Sequence, residues 1–378
     1  MLSFGIEEEF VLLDAARLRP VNDAPECRDG LSKLGFGAAL VHQEFFQSQL
    51  EFASPVYTEL SAAAEGLLEF RWALKNVAAT QHVVAAGVGT PYDVGPMPVL
   101  TPGERYEQVA ANVRALAWEH QINGLHVHVG VPGRAAGVVA LNGVRRWLPV
   151  LLALSANSPL WGGHDTGYAS WRAIHSRRWT TAGCPPPFTD DRDYDRRIRA
   201  LSGIGATSDP GTIAWYARLS ERQPTLEFRV ADAQLDSGVT VLLAALCRAL
   251  VATALHSGTS RNQPAPELLD AALWHAARDG LSRSLVHPVT GLLVPASDAV
   301  QALLEETRHQ LLASGDLAEV ETLLRDTTTR GSGAERQRQA LATGGLPGLV
   351  LLLESELTRT PAGLHRSDQK FRSRDAHA

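Results

Sequence analysis

The 378-residue sequence predicts an α+β fold in which helices cover one face of an at least partly antiparallel sheet and leave the other face open. Three observations carry this. Four segments alternate polar and apolar residues with period two, as a strand buried on one side requires. Between them run stretches with apolar residues at helical spacing, such as Leu67, Phe70, Leu74 and Val77. Ile213 to Arg218 and Thr225 to Asp232 flank the turn formers of Glu221 to Pro224, which reads as a hairpin.

Thr225 to Asp232 is the most informative strand. Alternation places Thr225, Glu227, Arg229 and Ala231 on one face, with Leu226, Phe228 and Val230 on the other. A carboxylate and a guanidinium two residues apart can hold a metal ion and a developing negative charge. Alone, this strand reads more readily as a surface strand with a salt-bridged Glu and Arg, but the pattern recurs. Gly124 to Val131 presents His126 and His128 on one face, and Phe4 to Leu12 presents Glu7 and Glu9, although Glu8 interrupts its apolar row. In the fourth strand Gln47, Gln49 and Glu51 alternate with Phe46, Ser48, Leu50 and Phe52. Glu44 and Glu51 have opposite parity, so both reach one site only if a bend separates them or Glu44 precedes the strand.

The rest of the chain follows in order. Asp14 to Asp29 is rich in turn formers. Ser61 to His82 is a helix covering the sheet, and Ala85 to Pro91 is a short strand entering a turn at Gly87, Gly89 and Thr90, where backbone can approach a ligand closely. Thr101-Pro102-Gly103-Glu104 reads as a capping box opening a helix to about His120. A helix from about Ala136 to Leu154 is kinked or broken at Pro149. Trp161 to Pro187 reads as a long loop carrying Arg172, Arg177 and Arg178, which either hold a substrate anion or form a solvated cluster. Thr189 to Gly203 is helical. From Asp236 the pattern is helical to Leu357, broken at Ser257 to Pro266, with a hairpin at His287 to Val294. The division is therefore one catalytic domain over 1–357, sheet-bearing to about 235 and helical beyond, then a polar tail at 358–378 expected to be disordered.

Composition narrows the function. Hydrophobic residues make up 45% and charged residues 20%, enough for a sizeable core, and the net charge of -6 offers no general attraction to nucleic acid or an anionic membrane. Val239 to Leu255 is the most apolar segment, but it is short for a span and contains Arg248, so a buried helix is expected. Cys27, Cys184 and Cys247 show no disulfide or zinc spacing, which fits a reducing cytoplasm, and the acidic N-terminus is unlike a secretory signal.

If Glu7, Glu9, Glu44, Glu51, His126, His128, Glu227 and Arg229 converge, cations must offset the crowded carboxylates. Oxygen-rich sites favour Mg2+ or Mn2+ over zinc. The residues alone leave three readings open: a nucleotide-dependent enzyme, a metal-dependent amide hydrolase using His126, His128 and Glu227, and a non-catalytic nucleotide- or amino-acid-binding protein. His128 also reads as a histidine hydrogen-bonded to a sheet neighbour.

Six ordered motifs resemble the carboxylate-amine ligase family called glutamate-cysteine ligase type 2. They are Gly5-Ile6-Glu7-Glu8-Glu9-Phe10, Phe46-Gln47-Ser48-Gln49-Leu50-Glu51, Glu104-Arg105-Tyr106, Leu125-His126-Val127-His128-Val129-Gly130, Leu154-Ser155-Ala156-Asn157-Ser158-Pro159 and Leu226-Glu227-Phe228-Arg229-Val230. The resemblance implies a curved, largely antiparallel sheet similar to glutamine synthetase and the guanidino kinases, with helices outside and the active site inside. It implies ATP, Mg2+ and amide formation between the side-chain carboxylate of L-glutamate and the amine of L-cysteine, or another amine (EC 6.3.2.2). It assigns Glu7, Glu9, Glu44, Glu51, His126 and Glu227 as metal ligands and Arg229 to the transferred phosphoryl group. Gly87, Gly89, Thr90, His128 and Arg172 are candidates for substrate contact. The resemblance also admits a homodimer. Two positions depart from the family pattern: Glu44 stands where an aspartate is common, and Gln47 where a glutamate is sometimes found.

Overall fold

Strand β1 (Phe4–Asp14) is the axis of the sheet in the computed structural model, which describes residues 1–95, 97–207, 209–258 and 264–363. Its other sheet members are β2 (Val41–Gln43), β3 (Gln49–Ala53), β4 (Val83–Ala86), β5 (Gly124–Gly130), β8 (Ala217–Leu219) and β9 (Thr225–Asp232). Two small hairpins, β6 (Leu160–Trp161) with β7 (His164–Asp165) and β10 (Ser284–Val286) with β11 (Leu293–Pro295), lie apart. The sheet order is β2-β3-β1-β5-β9-β8, every pair antiparallel. Val11 faces both Gln49 of β3 and Ala86 of β4, so β4 takes the flank of β1 that β5 leaves free.

Helices α1 (Ala24–Lys33), α2 (Leu60–Thr80), α3 (Glu104–Val113), α4 (Ala115–Trp118), α5 (Arg134–Val144) and α6 (Leu148–Ser155) precede α7 (Trp171–Ser176) and α8 (Asp191–Gly203). The C-terminal part holds α9 (Ser237–Ser257), α10 (Pro266–Asp279), α11 (Ala296–Ser314), α12 (Leu317–Arg330) and α13 (Gly333–Leu357). Helix α9 is apolar all round, as suits a helix with protein on every side. It contacts β1 and β5 below it and α2, α5, α11 and α12 around it. One apolar cluster runs from Phe4 through α2 and α9 to Leu357, so the sheet and the helical part share a core. Arg134–Ser155, Ser237–Ser257 and Leu317–Leu357 are long and apolar enough to cross a membrane by length and composition. Most of the apolar window is buried within the protein in the first two, 78% and 83%, against 17% in the third. Cys27, Cys184 and Cys247 are free thiols.

Several sequence expectations change. The helix after Thr101 begins at Glu104 behind Gly103, with no side-chain cap, because Thr101 is buried with its amide bonded to the Phe45 carbonyl. It breaks at Arg114, whose φ of 55° cannot continue a helix, before α4 resumes. The long loop contains α7, capped by the Ser170 hydroxyl, and the β6–β7 hairpin. Strict alternation in β9 fails: Leu125 pairs with Ala231 but Val127 with Phe228, so Arg229 and Val230 together oppose His126. This bulge shifts the strand's phase, and Ala231 joins the apolar core instead of the open face. Glu8 stays on the core face, where Arg71 of α2 meets it at 2.9 and 2.5 Å and the Thr240 hydroxyl of α9 donates at 2.6 Å. Part of the break at 257–266 and most of the tail lie outside the described residues.

Candidate active site

Sheet register assembles the site. Glu9 pairs with Glu51, Glu7 with His126, and His128 with Glu227, so side chains from β3, β1, β5 and β9 stand in adjacent positions on the face away from the helices. Glu44 follows β2, and a turn separates it from β3, which resolves its parity with Glu51. Together these residues line a cavity of about 630 Å³. Three triads bring ligand atoms within 4.8 Å of one another: Glu7, Glu51 and His126; Glu7, His128 and Glu227; Glu9, Glu44 and Glu51.

The groups hold one another in place. His126 Nδ1 is 3.0 Å from Glu7 and its Nε2 is 3.7 Å from Glu9. His128 Nε2 is 3.2 Å from Glu7, while its Nδ1 bonds the Thr225 hydroxyl at 2.9 Å, the sheet-neighbour contact expected of it. The Gly124 amide donates to Glu9 at 2.6 Å. Arg229 pairs with Glu227, and Arg218 of β8 grips the same carboxylate at 2.8 and 3.2 Å. Arg218 also donates to the carbonyls of Pro210, Gly211 and Ile213, tying that turn to Glu227.

The electrostatics divide the carboxylates into two groups. Burial raises the pKa of Glu9, Glu44 and Glu51, and for Glu51 the charges of Glu44, Glu7 and Glu9 add to the rise. Burial also opposes the ionisation of Glu227, but Arg229 and Arg218 outweigh it and hold the group well below the usual carboxylate range. For Glu7 the bonds from His126 and His128 do the same. Burial and Arg229 depress His126, whereas Glu7 and Glu227 overcome burial to raise His128. Crowded carboxylates with few nitrogens suit a hard divalent cation, and the cost of ionising Glu51 beside three like charges is what such a cation would relieve.

The arginine cluster separates. Arg177 pairs with Asp270 and Arg178 with Glu119 at the surface, whereas Arg172 is buried and faces the cavity. Its guanidinium passes over Gly124, where a Cβ would sit 2.5 Å from Nη2, so a side chain at this position would have to displace the guanidinium. Gly87, Gly89 and Thr90 do not line the cavity. A Cβ on Gly87 would lie 2.2 Å from the Gln234 carbonyl, Gly89 packs on Asp232 and Ser158, and the Thr90 hydroxyl donates to Leu160 at 2.8 Å. The backbone there approaches the protein itself. The sequence reading missed Arg218, His120 and Trp179, all of which border the cavity.

Comparison with known proteins agrees with this architecture. Residues 3–354 match the model of glutamate-cysteine ligase family 2. A protein of Saccharopolyspora erythraea named "Putative glutamate--cysteine ligase 2-2" is 39% identical over 93% of this chain and 91% of its own length. A Rhodococcus jostii protein of the same series, 2-1, is 37% identical over 94% and 96%. Among solved structures, glutamate-cysteine ligase from Francisella tularensis in complex with AMP superposes with a TM-score of 0.70 at 12% identity, over 96% of this chain and 90% of that one. A bifunctional glutathione synthetase from Pasteurella multocida gives 0.67 at 15% identity, over 94% and 52%. At those identities the shared property is the fold. The family match and the near full-length relatives show that the chain belongs to glutamate-cysteine ligase family 2.

Proposed function

We propose that this protein is an ATP-dependent ligase that joins the side-chain carboxylate of L-glutamate to the amine of L-cysteine. The observation that carries the reading is the convergence of Glu7, Glu9, Glu44, Glu51 and Glu227 with His126 and His128 in one cavity, beside Arg229. Family membership and relatives named for this activity support the choice of substrates. Mg2+ or Mn2+ would be held by Glu7, Glu9, Glu44, Glu51, His126 and Glu227, and when bound it supplies neutralisation of phosphate charge.

In this reading a glutamate side-chain oxygen attacks the γ-phosphorus of ATP, ADP leaves, and an acyl phosphate forms. The amine nitrogen attacks the carbonyl carbon and loses a proton, and the C–O bond breaks to release phosphate. Arg229 donates to the phosphoryl oxygens as charge moves through them, with Glu227 fixing its guanidinium. Arg218 prevents Glu227 from swinging away. His128, braced by Thr225, orients Glu7. The chain therefore acts mainly by positioning and charge compensation.

The test is ADP release by purified protein with Mg2+, L-glutamate and a panel of amines led by L-cysteine. ADP that requires both glutamate and an amine is the expected result. Amide cleavage without ATP would identify a hydrolase, and nucleotide binding without turnover a binding protein.

A further inference from the structure

The bulge in β9 sits at Arg229 itself. Arg229 and Val230 together oppose His126, and past the bulge Asp232 pairs with Gly124. Gly124 shares its face of β5 with His126 and His128, so the bulge turns Asp232 to the cavity side, where uninterrupted alternation would send it into the core. There Asp232 is fully buried. It accepts from the Asn157 amide at 2.8 Å and from the hydroxyls of Ser158 and Ser170 at 2.7 and 2.8 Å.

These contacts build a seat for Arg172. Its amide donates to the Ser158 hydroxyl at 3.0 Å, Ser170 caps its helix, and its Nη1 lies 3.9 Å from Asp232. The fork of the guanidinium then turns back on the bulge: Nη2 donates to the Arg229 carbonyl at 3.2 Å and Nη1 to the Val230 carbonyl at 3.5 Å. Pairing with β8 ends at Phe228, followed by one bond from the Arg229 amide to the Tyr216 carbonyl, and Arg172 serves β9 where that strand stops. The residue is only 7% exposed and its Nε is sealed from solvent, so this cation is committed to the chain and not to a ligand.

We propose that Arg172 is a positioning residue: by holding both carbonyls of the bulge it fixes the backbone from which Arg229 reaches the phosphoryl group. A bulge bends its strand and re-aims the side chains on it, so one whose carbonyls are released swings the Arg229 guanidinium off Glu227. Lysine would keep the charge beside Asp232 but lacks the planar fork that spans two carbonyls. This deepens the ligase reading and rests on it for the role of Arg229.

The test is a double-mutant cycle on ADP release with ATP, Mg2+, L-glutamate and L-cysteine. Arg172→Lys should lower kcat roughly tenfold and leave the KM for ATP and for L-glutamate within about twofold. In an Arg229→Ala background the same substitution should change kcat less than about twofold, because its effect runs through Arg229. A raised KM would make Arg172 a substrate contact, and an equal loss of kcat in both backgrounds would make its effect general; either overturns the proposal. A second readout needs no turnover: 15N NMR of the guanidinium groups, with the Arg229 signal identified by its loss in Arg229→Ala. In Arg172→Lys the Arg229 guanidinium should rotate about tenfold faster, while that of Arg218, which grips the same carboxylate from β8, stays within about twofold. Acceleration of both alike, or of neither, would overturn the proposal. If Arg172→Lys fails to fold, Gly124→Ala carries the NMR arm with the arginine retained, since its Cβ would lie 2.5 Å from Nη2. That Cβ also comes 3.2 Å from His126 Nε2, so this variant is read by NMR and not by turnover. A wild-type protein that forms no ADP would refute the ligase reading, and the NMR arm would still decide whether Arg172 holds Arg229.

Discussion

Replacing Glu51 by Gln should make the protein without metal more stable while weakening its response to divalent cations. Glu51 shares a triad with Glu9 and Glu44 in which ligand oxygens lie within 4.8 Å. Two unit charges at that separation repel by roughly 3.5 kcal/mol at an effective dielectric near 20. The side chain avoids this by taking up a proton, and at pH 7.5, three units above its ordinary 4.5, that uptake costs at most about 4 kcal/mol. The cavity admits water, so a gain of roughly 1–3 kcal/mol is expected for the amide, or about 1–4 °C in Tm for a chain of this size. The sign follows from linkage. A carboxyl whose folded pKa is raised contributes nothing unfavourable below its unfolded pKa, and stability is lost as pH rises toward the folded value. The advantage of Glu51→Gln should therefore be near zero at pH 4.5 and grow toward pH 8, measured by thermal unfolding in EDTA. Added Mg2+ or Mn2+ should raise the wild-type Tm more than the variant's. A variant less stable than wild type by the same amount at both pH values would refute the reasoning.

Three further outcomes follow from the geometry. Glu227→Gln should lower kcat/KM on the order of a hundred- to thousandfold, read by ADP release, because it weakens a proposed metal ligand and releases Arg229. Retained activity would remove Glu227 from the mechanism. Arg229→Ala should reduce kcat by a factor on the order of 10³ with little change in the KM for ATP, and a pure KM effect would assign it to binding. Glu8→Gln should cost about 3 kcal/mol in urea unfolding, since it leaves the Arg71 guanidinium buried against a neutral partner, while the folded variant keeps its activity. Lost activity with unchanged stability would place Glu8 in the site.

The candidate site was legible in the sequence to the extent that strand period is reliable. Two-residue alternation put Glu7 with Glu9, His126 with His128 and Glu227 with Arg229, and antiparallel pairing aligned them. The parity conflict of Glu44 and Glu51 pointed to the turn that separates β2 from β3. Arg218 was within reach too, because the hairpin is symmetric about Arg222 and Gln223 and sets Arg218 opposite Glu227. Other features depend on contacts between distant segments. Nothing local announces that Trp179 will meet His120, or that Glu8 will find Arg71 on a helix 63 positions away. The bulge in β9 that returns Ala231 to the core leaves no residue signature such as a glycine. Gly87 and Gly89 show the converse ambiguity, since a glycine that admits a ligand and one that admits a neighbouring carbonyl look alike in a sequence.

The most direct test of the ligase account uses L-glutamate labelled with 18O in its side-chain carboxylate. With ATP, Mg2+ and L-cysteine, 31P NMR of the released phosphate should show one labelled oxygen for each amide formed, because the carboxylate oxygen departs with the phosphoryl group. Unlabelled phosphate, released at the same rate whether or not the amine is present, would mean that water and not glutamate attacks ATP, and would contradict the account.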